Sequence, residues 1–426
     1  MYRSNIERVE QLVKEQENWR SSCINLIASE QVMSRRARAL MGSDFCHRYA
    51  EGHPGERYYQ GTDVIDKIET EVKQHMKSLF GCLHSEVRPI SGTNANEAVF
   101  SRYIRPGDVV MVNSTSAGGH ISHQRAGAVG HYTHNVVPFP LTEDGYHVDI
   151  EKCMELIRTV RPRLVVFGRS LFLFPEPIRE LAPVCKEVRA RVVYDAAHVL
   201  GLIAGKQFQS PLDEGAHLMM GSTHKTFFGP QRGVILSNLP DAEWRRIDKG
   251  AFPGSSSNHH LDTLPPLLVA VFEMLAYGRE YATQVVANAK ALGKALDDRG
   301  LDVQAKEFGY TQSHQIAVNV SAHGGGSTVA SLLQENNIIL NMNLLPFEPL
   351  SRHDNPAGIR IGVDEMTRFG MKEPEMERLA DLMAACVVKG RSVAEEVKAF
   401  RTEFQEVQYC FDRYQESAEE GTEQEA

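Results

Sequence analysis

The stretch Val192-Val193-Tyr194-Asp195-Ala196-Ala197-His198, followed by Ser222-Thr223-His224-Lys225, decides how this chain folds. An apolar run closed by a carboxylate reads as a buried strand whose carboxyl end carries Asp195, the place where open α/β sheets gather their ligands. A second apolar run ends on the tetrapeptide that presents Lys225. A lysine poised for covalent attachment to an aldehyde and a carboxylate to keep a pyridine nitrogen protonated are two of the needs of pyridoxal 5'-phosphate. The third, donors around its phosphate, is met by Ser91-Gly92-Thr93. Each feature alone has an ordinary explanation: a solvated turn lysine, a helix-capping aspartate, a Ser-Gly-Thr turn. Their joint occurrence in this order makes the chain an enzyme candidate.

At 426 residues and 42% hydrophobic composition, the chain buries a large core and is expected to divide into two domains. Its net charge of -9, from 55 acidic against 46 basic residues, and the lack of a basic stripe argue against nucleic acid as a partner. Seven cysteines, at 23, 46, 82, 153, 185, 386 and 410, form no CxxC pair and total an odd number. That pattern fits reduced thiols rather than a disulfide framework or a structural zinc site, so no metal is expected. Residues 1–7 form no apolar signal region and no run of some eighteen apolar residues is uninterrupted, which predicts a cytoplasmic protein without a membrane span.

Ile6, Val9, Leu12 and Val13 recur at helical spacing, so residues 6–20 predict an amphipathic arm suited to packing on a partner subunit. Up to about residue 240, apolar runs at 108–112, 164–167, 191–194 and 233–236 alternate with helix-like stretches, the pattern of a mainly parallel sheet wrapped by helices. Residues 263–300 read as one long helix with Leu267, Val271, Met274 and Leu275 in register. Strand-like runs follow at 315–320, 338–340 and 359–362, with helices at 373–388 and 391–408. The expected division is an arm at 1–30, a large domain at 31–262, a connecting helix at 263–300, a small C-terminal α/β domain at 301–410 and a disordered acidic tail at 411–426.

Several further stretches resemble the serine hydroxymethyltransferases, in particular their archaeal-type branch. They are Leu26-Ile27-Ala28-Ser29-Glu30, Arg48-Tyr49-Ala50-Glu51-Gly52, Arg57-Tyr58-Tyr59-Gln60-Gly61, Gly118-Gly119-His120, Asn341-Met342-Asn343 and Gly358-Ile359-Arg360-Ile361-Gly362, besides the Asp195 and Lys225 motifs. The resemblance runs from about residue 5 to residue 390. It implies a fold-type I pyridoxal phosphate transferase with a mainly parallel seven-stranded sheet in the large domain. It also implies reversible transfer of a hydroxymethyl unit between L-serine and a reduced pterin, tetrahydrofolate or tetrahydromethanopterin, giving glycine. By that resemblance Lys225 carries the cofactor as a Schiff base, Asp195 pairs with the pyridine nitrogen, and His120 stacks on the ring. Ser170 and His198 lie near the ring hydroxyl, while Ser91, Gly92, Thr93, Ser222 and His224 complete the cofactor's surroundings. Arg360, whose planar fork meets both carboxylate oxygens, grips the amino acid with help from Ser29. Glu51 acts as acid or base near the substrate hydroxymethyl group. Tyr49 and Tyr59 reach the partner's active site, which implies a homodimer with shared sites or a tetramer built from it. Gly119, Ile121 and Asn343 border the pterin.

The chain departs from the family pattern at Arg169, where a small residue is usual, and at His53, Glu56, Met342 and Gln231. Arg169 is expected to turn away toward a helix end or a phosphate; His53, Glu56 and Met342 alter the charge around the pterin tail. Two alternatives stay open. One is a pterin-independent aldolase or transaldolase for threonine-like substrates, or a hydroxymethyltransferase for α-methylserine. The other is a non-catalytic regulatory protein that binds pyridoxal phosphate or RNA, which the intact set of Lys225, Asp195, Glu51 and Arg360 and the acidic balance oppose.

Overall fold

Strands β1 (His84–Glu86), β2 (Val110–Val112), β3 (Val136–Pro138), β4 (Leu164–Phe167), β5 (Arg191–Asp195), β6 (Leu218–Ser222) and β7 (Gly233–Ser237) form one sheet in the order β1-β7-β6-β5-β4-β2-β3. The structure, a computed structural model, describes residues 2–412. Only β7 runs antiparallel to its neighbours; β2 through β6 are parallel. Every residue of β2, β4 and β6 is buried, because helices cover both faces, and this is why those strands read as unbroken apolar runs. The chain passes from β2 out to the edge strand β3 and returns to β4 on the other side of β2. This reversal opens a crevice beyond the carboxyl ends of β2 and β4, next to those of β5 and β6.

The five longest helices among the described residues are α1 (Tyr2–Ser21), α2 (Asp63–Phe80), α3 (Gly92–Tyr103), α4 (Leu264–Asp298) and α5 (Glu373–Val387). A second sheet of β8 (Asp302–Val303), β9 (Gln315–Asn319), β10 (Asn341–Asn343) and β11 (Gly358–Gly362), ordered β8-β9-β11-β10, is wholly antiparallel. Helix α4 packs on α2 and α5, and one hydrophobic core runs without a break from Val165 through Val271 and Val285 to Ile316 and Ile361. One window of α4 is apolar enough to suit a membrane by composition, yet 61% of it is buried inside the molecule, the placement of a core helix. The buried Asn288 is satisfied internally, donating to Thr367 Oγ1 and to the Met371 carbonyl, each at 2.8 Å.

The long helix occupies Leu264–Asp298, within two residues of its expected range, although Leu275 leaves the buried stripe and is 45% exposed. Residues 391–408 give only a short helix, Ala394–Thr402, because the segment bends away after it. The 338–340 run does not join the small sheet. Ile338–Ile339 pairs instead, in parallel, with Ile24–Asn25, so the segment after α1 is tied to the C-terminal half of the chain. In α1 no residue is buried, and Ile6, Val9, Leu12 and Val13 all lie more than half exposed. The tail expected at 411–426 falls outside the described residues from 413 onward.

Candidate active site

The carboxyl ends of β5 and β6 and the N-terminus of α3 enclose a cavity of about 140 Å³, lined by Ser91, Gly92, Thr93, His120, Asp195, His198, Ser222, His224 and Lys225, with Asn96, Arg169 and Ala197. Ser91 caps α3, its Oγ accepting the Asn94 amide at 3.1 Å, which aims the helix's free amides and positive dipole end into the cavity. Gly92 has to be bare: a Cβ there would come within 2.4 Å of Ser222 Oγ.

Asp195 is buried and held as a carboxylate. His123 Nε2 lies 2.9 Å from its Oδ2, Asn96 donates to the same oxygen at 2.7 Å, and the Ala197 amide donates to Oδ1 at 2.9 Å. Burial alone would raise its pKa, but the hydrogen bond and charge of His123 outweigh this and place it well below the usual carboxylate range. Lys225 makes no side-chain hydrogen bond among the described residues. Burial disfavours its ammonium, Asp195 partly restores it and Arg360 opposes it, which leaves the amine near pH neutrality with a pKa lowered to about 8. His120 Nδ1 accepts from the Ser122 amide at 3.2 Å, so the neutral ring keeps its proton on Nε2; burial lowers its pKa to about 4. His198 Nδ1 accepts from Gln315 Nε2 at 2.9 Å, which leaves Nε2 as a donor into the cavity. The ring is held neutral by burial and by Lys225.

Arg360 projects from the middle of β11, where only 7% of it is exposed. Its Nη1 donates to the Ser170 carbonyl at 2.7 Å and to Ser170 Oγ at 3.0 Å, and its Nε and Nη2 both reach Asn341 Oδ1, at 3.2 and 3.1 Å. All of these partners are neutral, so the guanidinium keeps an uncompensated charge suited to a carboxylate. Residues 26–29 cross the same strand: the Gly362 amide donates to the Leu26 carbonyl at 2.8 Å, and a side chain at Gly362 would strike Ala28. Ser29 is thereby brought to the strand that bears Arg360.

A second cleft of about 290 Å³ shares His120 with the cavity and is lined by Gly119, Ile121, Ser170, Met342 and Asn343 among others. Ser170, expected beside the ring hydroxyl, lines this cleft and is engaged by Arg360. Met342 stands on the cleft wall, whereas His53 pairs with Asp248 at 3.3 Å beside another cavity and Glu56 is exposed on the Gly52–His53 hairpin partner strand. Tyr49, Glu51 and Tyr59 line neither cavity. They form their own cluster, with the tyrosine rings 5.3 Å apart and Tyr59 Oη 3.5 Å from Glu51 Oε2; Tyr49 and Tyr59 are 51% and 41% exposed.

Arg169 goes neither to a helix end nor to a phosphate. It lies buried on the cavity wall, donating from Nε to Glu176 Oε1 at 2.8 Å and from Nη1 to the Ala117 carbonyl at 3.1 Å, because Glu176 supplies the counter-charge that a buried guanidinium needs. Glu176 also accepts from Asn113 at 2.7 Å. Sequence reasoning missed Glu176, Asn113, Asn96, His123, Gln315 and Asn341. Asn96 and His123 had a signal, since they lie one helical turn beyond Gly92 and three residues beyond His120; Glu176 had none.

A helix N-terminus with a glycine cradle, a carboxylate locked in its charged form and a lysine amine without a hydrogen bond among the described residues fit pyridoxal phosphate, whose phosphate Ser91, Gly92, Thr93 and Ser222 would hold. The family model described as serine hydroxymethyltransferase matches residues 3–383. A serine hydroxymethyltransferase of Methanosphaera stadtmanae is 47% identical over 95% of this chain and 96% of its own, and that of Pyrococcus horikoshii is 48% identical over 96% and 98%. Among solved structures, the L-threonine transaldolase of Pseudomonas fluorescens superposes with a TM-score of 0.88 at 29% identity, covering 97% of this chain and 95% of that one. With a family model across most of its length and such relatives along nearly all of it, the chain belongs to the serine hydroxymethyltransferase family.

Proposed function

We propose that the enzyme moves a hydroxymethyl unit reversibly between L-serine and a reduced pterin, leaving glycine, with pyridoxal phosphate held at Lys225. The observation that carries this reading is the junction of the Lys225 cavity with a second cleft through His120, with Arg360 donating to Ser170 on the wall of that cleft. Bound at Lys225, the cofactor supplies an electron sink for the bond to the serine hydroxymethyl carbon. Asp195 would hold a ring nitrogen in its protonated form, His120 would line the cofactor's site, and Arg360 with Ser29 would fix the substrate carboxylate. The second cleft, with Gly119, Ile121 and Asn343, receives the pterin. Glu51 holds or delivers the proton at the serine hydroxyl.

Glu51, Tyr49 and Tyr59 lie outside the cavity of their own chain and cluster together, the two tyrosines exposed and Glu51 half-buried, which supports their entry into the active site of a second copy. The bare apolar stripe of α1 supports the same homodimer, from which a tetramer can be built. Seven free thiols fit a cytoplasmic setting.

The test is glycine and one-carbon formation from L-serine by the purified holoenzyme, with tetrahydrofolate, with tetrahydromethanopterin and without pterin. Pterin-stimulated glycine release is the expected result and names the carrier. The similarity to a threonine transaldolase favours one second reading: no serine turnover, but pterin-free cleavage of threonine-like substrates, would replace the transferase by an aldolase or transaldolase.

A further inference from the structure

We propose a second ligand site, for a nucleoside polyphosphate, in a cavity at the amino ends of the central strands of the large sheet, opposite the active site. The cavity measures about 890 Å³, within the roughly 300–1,000 Å³ that small-molecule sites occupy. Arg163, Arg191 and His217 reach it from the residues that begin or precede β4, β5 and β6, the strands whose far ends carry the active site. On the helix Ile178–Glu187, Arg179, Ala182, Pro183 and Lys186 fall at helical spacing and turn one face to the cavity. Arg189 and Arg246 complete a ring of six cations.

The balance of charge is what points to an anion. The chain as a whole carries -9, yet among the described residues this cavity gathers six cations and only two carboxylates. Both carboxylates are committed: Glu214 accepts from Gln209 at 2.6 Å and from the Ser210 amide at 2.9 Å, and Glu243 pairs with Arg191 at 2.8 Å and accepts from Tyr103 at 3.0 Å. Arg163 and Arg246 reach only backbone carbonyls, at 3.3 and 3.4 Å. Arg179, Lys186 and Arg189 have no ion pair or side-chain hydrogen bond among the described residues. Five exposed cations therefore face the cavity without a carboxylate partner among the described residues, a surface that attracts anions, and guanidinium forks match phosphate oxygens in pairs. The floor between them is apolar, made of Ala182, Pro183 and Ala190, and suits a flat base better than further phosphate. At its edge His217 Nδ1 accepts the Val192 amide at 3.1 Å, leaving Nε2 to donate.

Calorimetric titration of the holoenzyme, whose own phosphate seat is filled, with ATP, inorganic triphosphate and adenosine at moderate salt tests this. ATP is expected to bind saturably, triphosphate more weakly and adenosine not at all. The double variant Arg179→Glu, Lys186→Glu, altered only at exposed positions, should weaken ATP by roughly tenfold or more while serine turnover without nucleotide stays unchanged. No saturable binding of ATP, or equal affinity in the variant, would overturn the site; triphosphate binding as tightly as ATP would overturn the nucleoside.

Discussion

Lys225 is the residue on which the proposed chemistry turns, and its surroundings set when it can react. A lysine amine bonds to an aldehyde only when neutral, and burial moves that condition from the ordinary 10.5 down to about 8. The sign follows directly: below about pH 8 the ammonium predominates in the folded protein, and above it the amine. The rate at which the cofactor-free enzyme takes up pyridoxal phosphate should therefore rise through about pH 8 and level off, as followed by the visible absorbance of the bound cofactor. A rate still climbing toward pH 10.5 would mean that the cavity does not desolvate Lys225. Arg169 shows the limit of reading single residues. Its identity as a departure is plain in the chain, but the buried Glu176 that neutralises it stands seven positions away and reaches it only through the turn after β4.

At the level of elements, α4 joins the halves of the molecule and depends on one buried ion pair. Glu273 on α4 and Arg368 are both fully buried, 2.8 Å apart, with the guanidinium 3.6 Å from the Phe228 ring centroid. Removing one partner strands the other charge away from water, so Glu273→Ala should lose about 3–5 kcal/mol of stability in urea denaturation of the holoenzyme. Adding Arg368→Met should recover most of the loss, because the unpaired charge goes with it; failure to recover would mean that packing rather than charge is at stake. The elements most legible in sequence were those buried on both faces, such as β4 and β6, and the long α4 with its helical period. Ile338–Ile339 was legible as a strand, but not its partner, since the Ile24–Asn25 segment that meets it lies more than 300 residues earlier and no local pattern specifies that pairing.

For the whole molecule, Glu51 lies outside the Lys225 cavity of its own chain, and the homodimer proposed above makes activity a property of the assembly. Lys225→Ala and Glu51→Gln are each expected to be inactive alone. If the sites are shared, each mixed dimer has one site with both residues intact, so an equal mixture after subunit exchange should recover about a quarter of wild-type serine turnover. No recovery, with exchange verified by mass, would place Glu51 and its own Lys225 in one site. The sequence by itself determined most strands and helices of the large domain and singled out Lys225, Asp195 and Ser91-Gly92-Thr93, which the structure brings to one cavity, because burial period, strand-terminal position and residue chemistry are local properties. Only the tertiary structure decided that Asn96 and His123 lock Asp195 in its charged form, that Gln315 sets the proton on His198, that Asn341 holds Arg360, and that Tyr49, Glu51 and Tyr59 stand apart from the cavity. Those outcomes depend on which side chains meet after distant segments pack, and hydrogen bonds and buried charges are settled by contact in space rather than by neighbours along the chain.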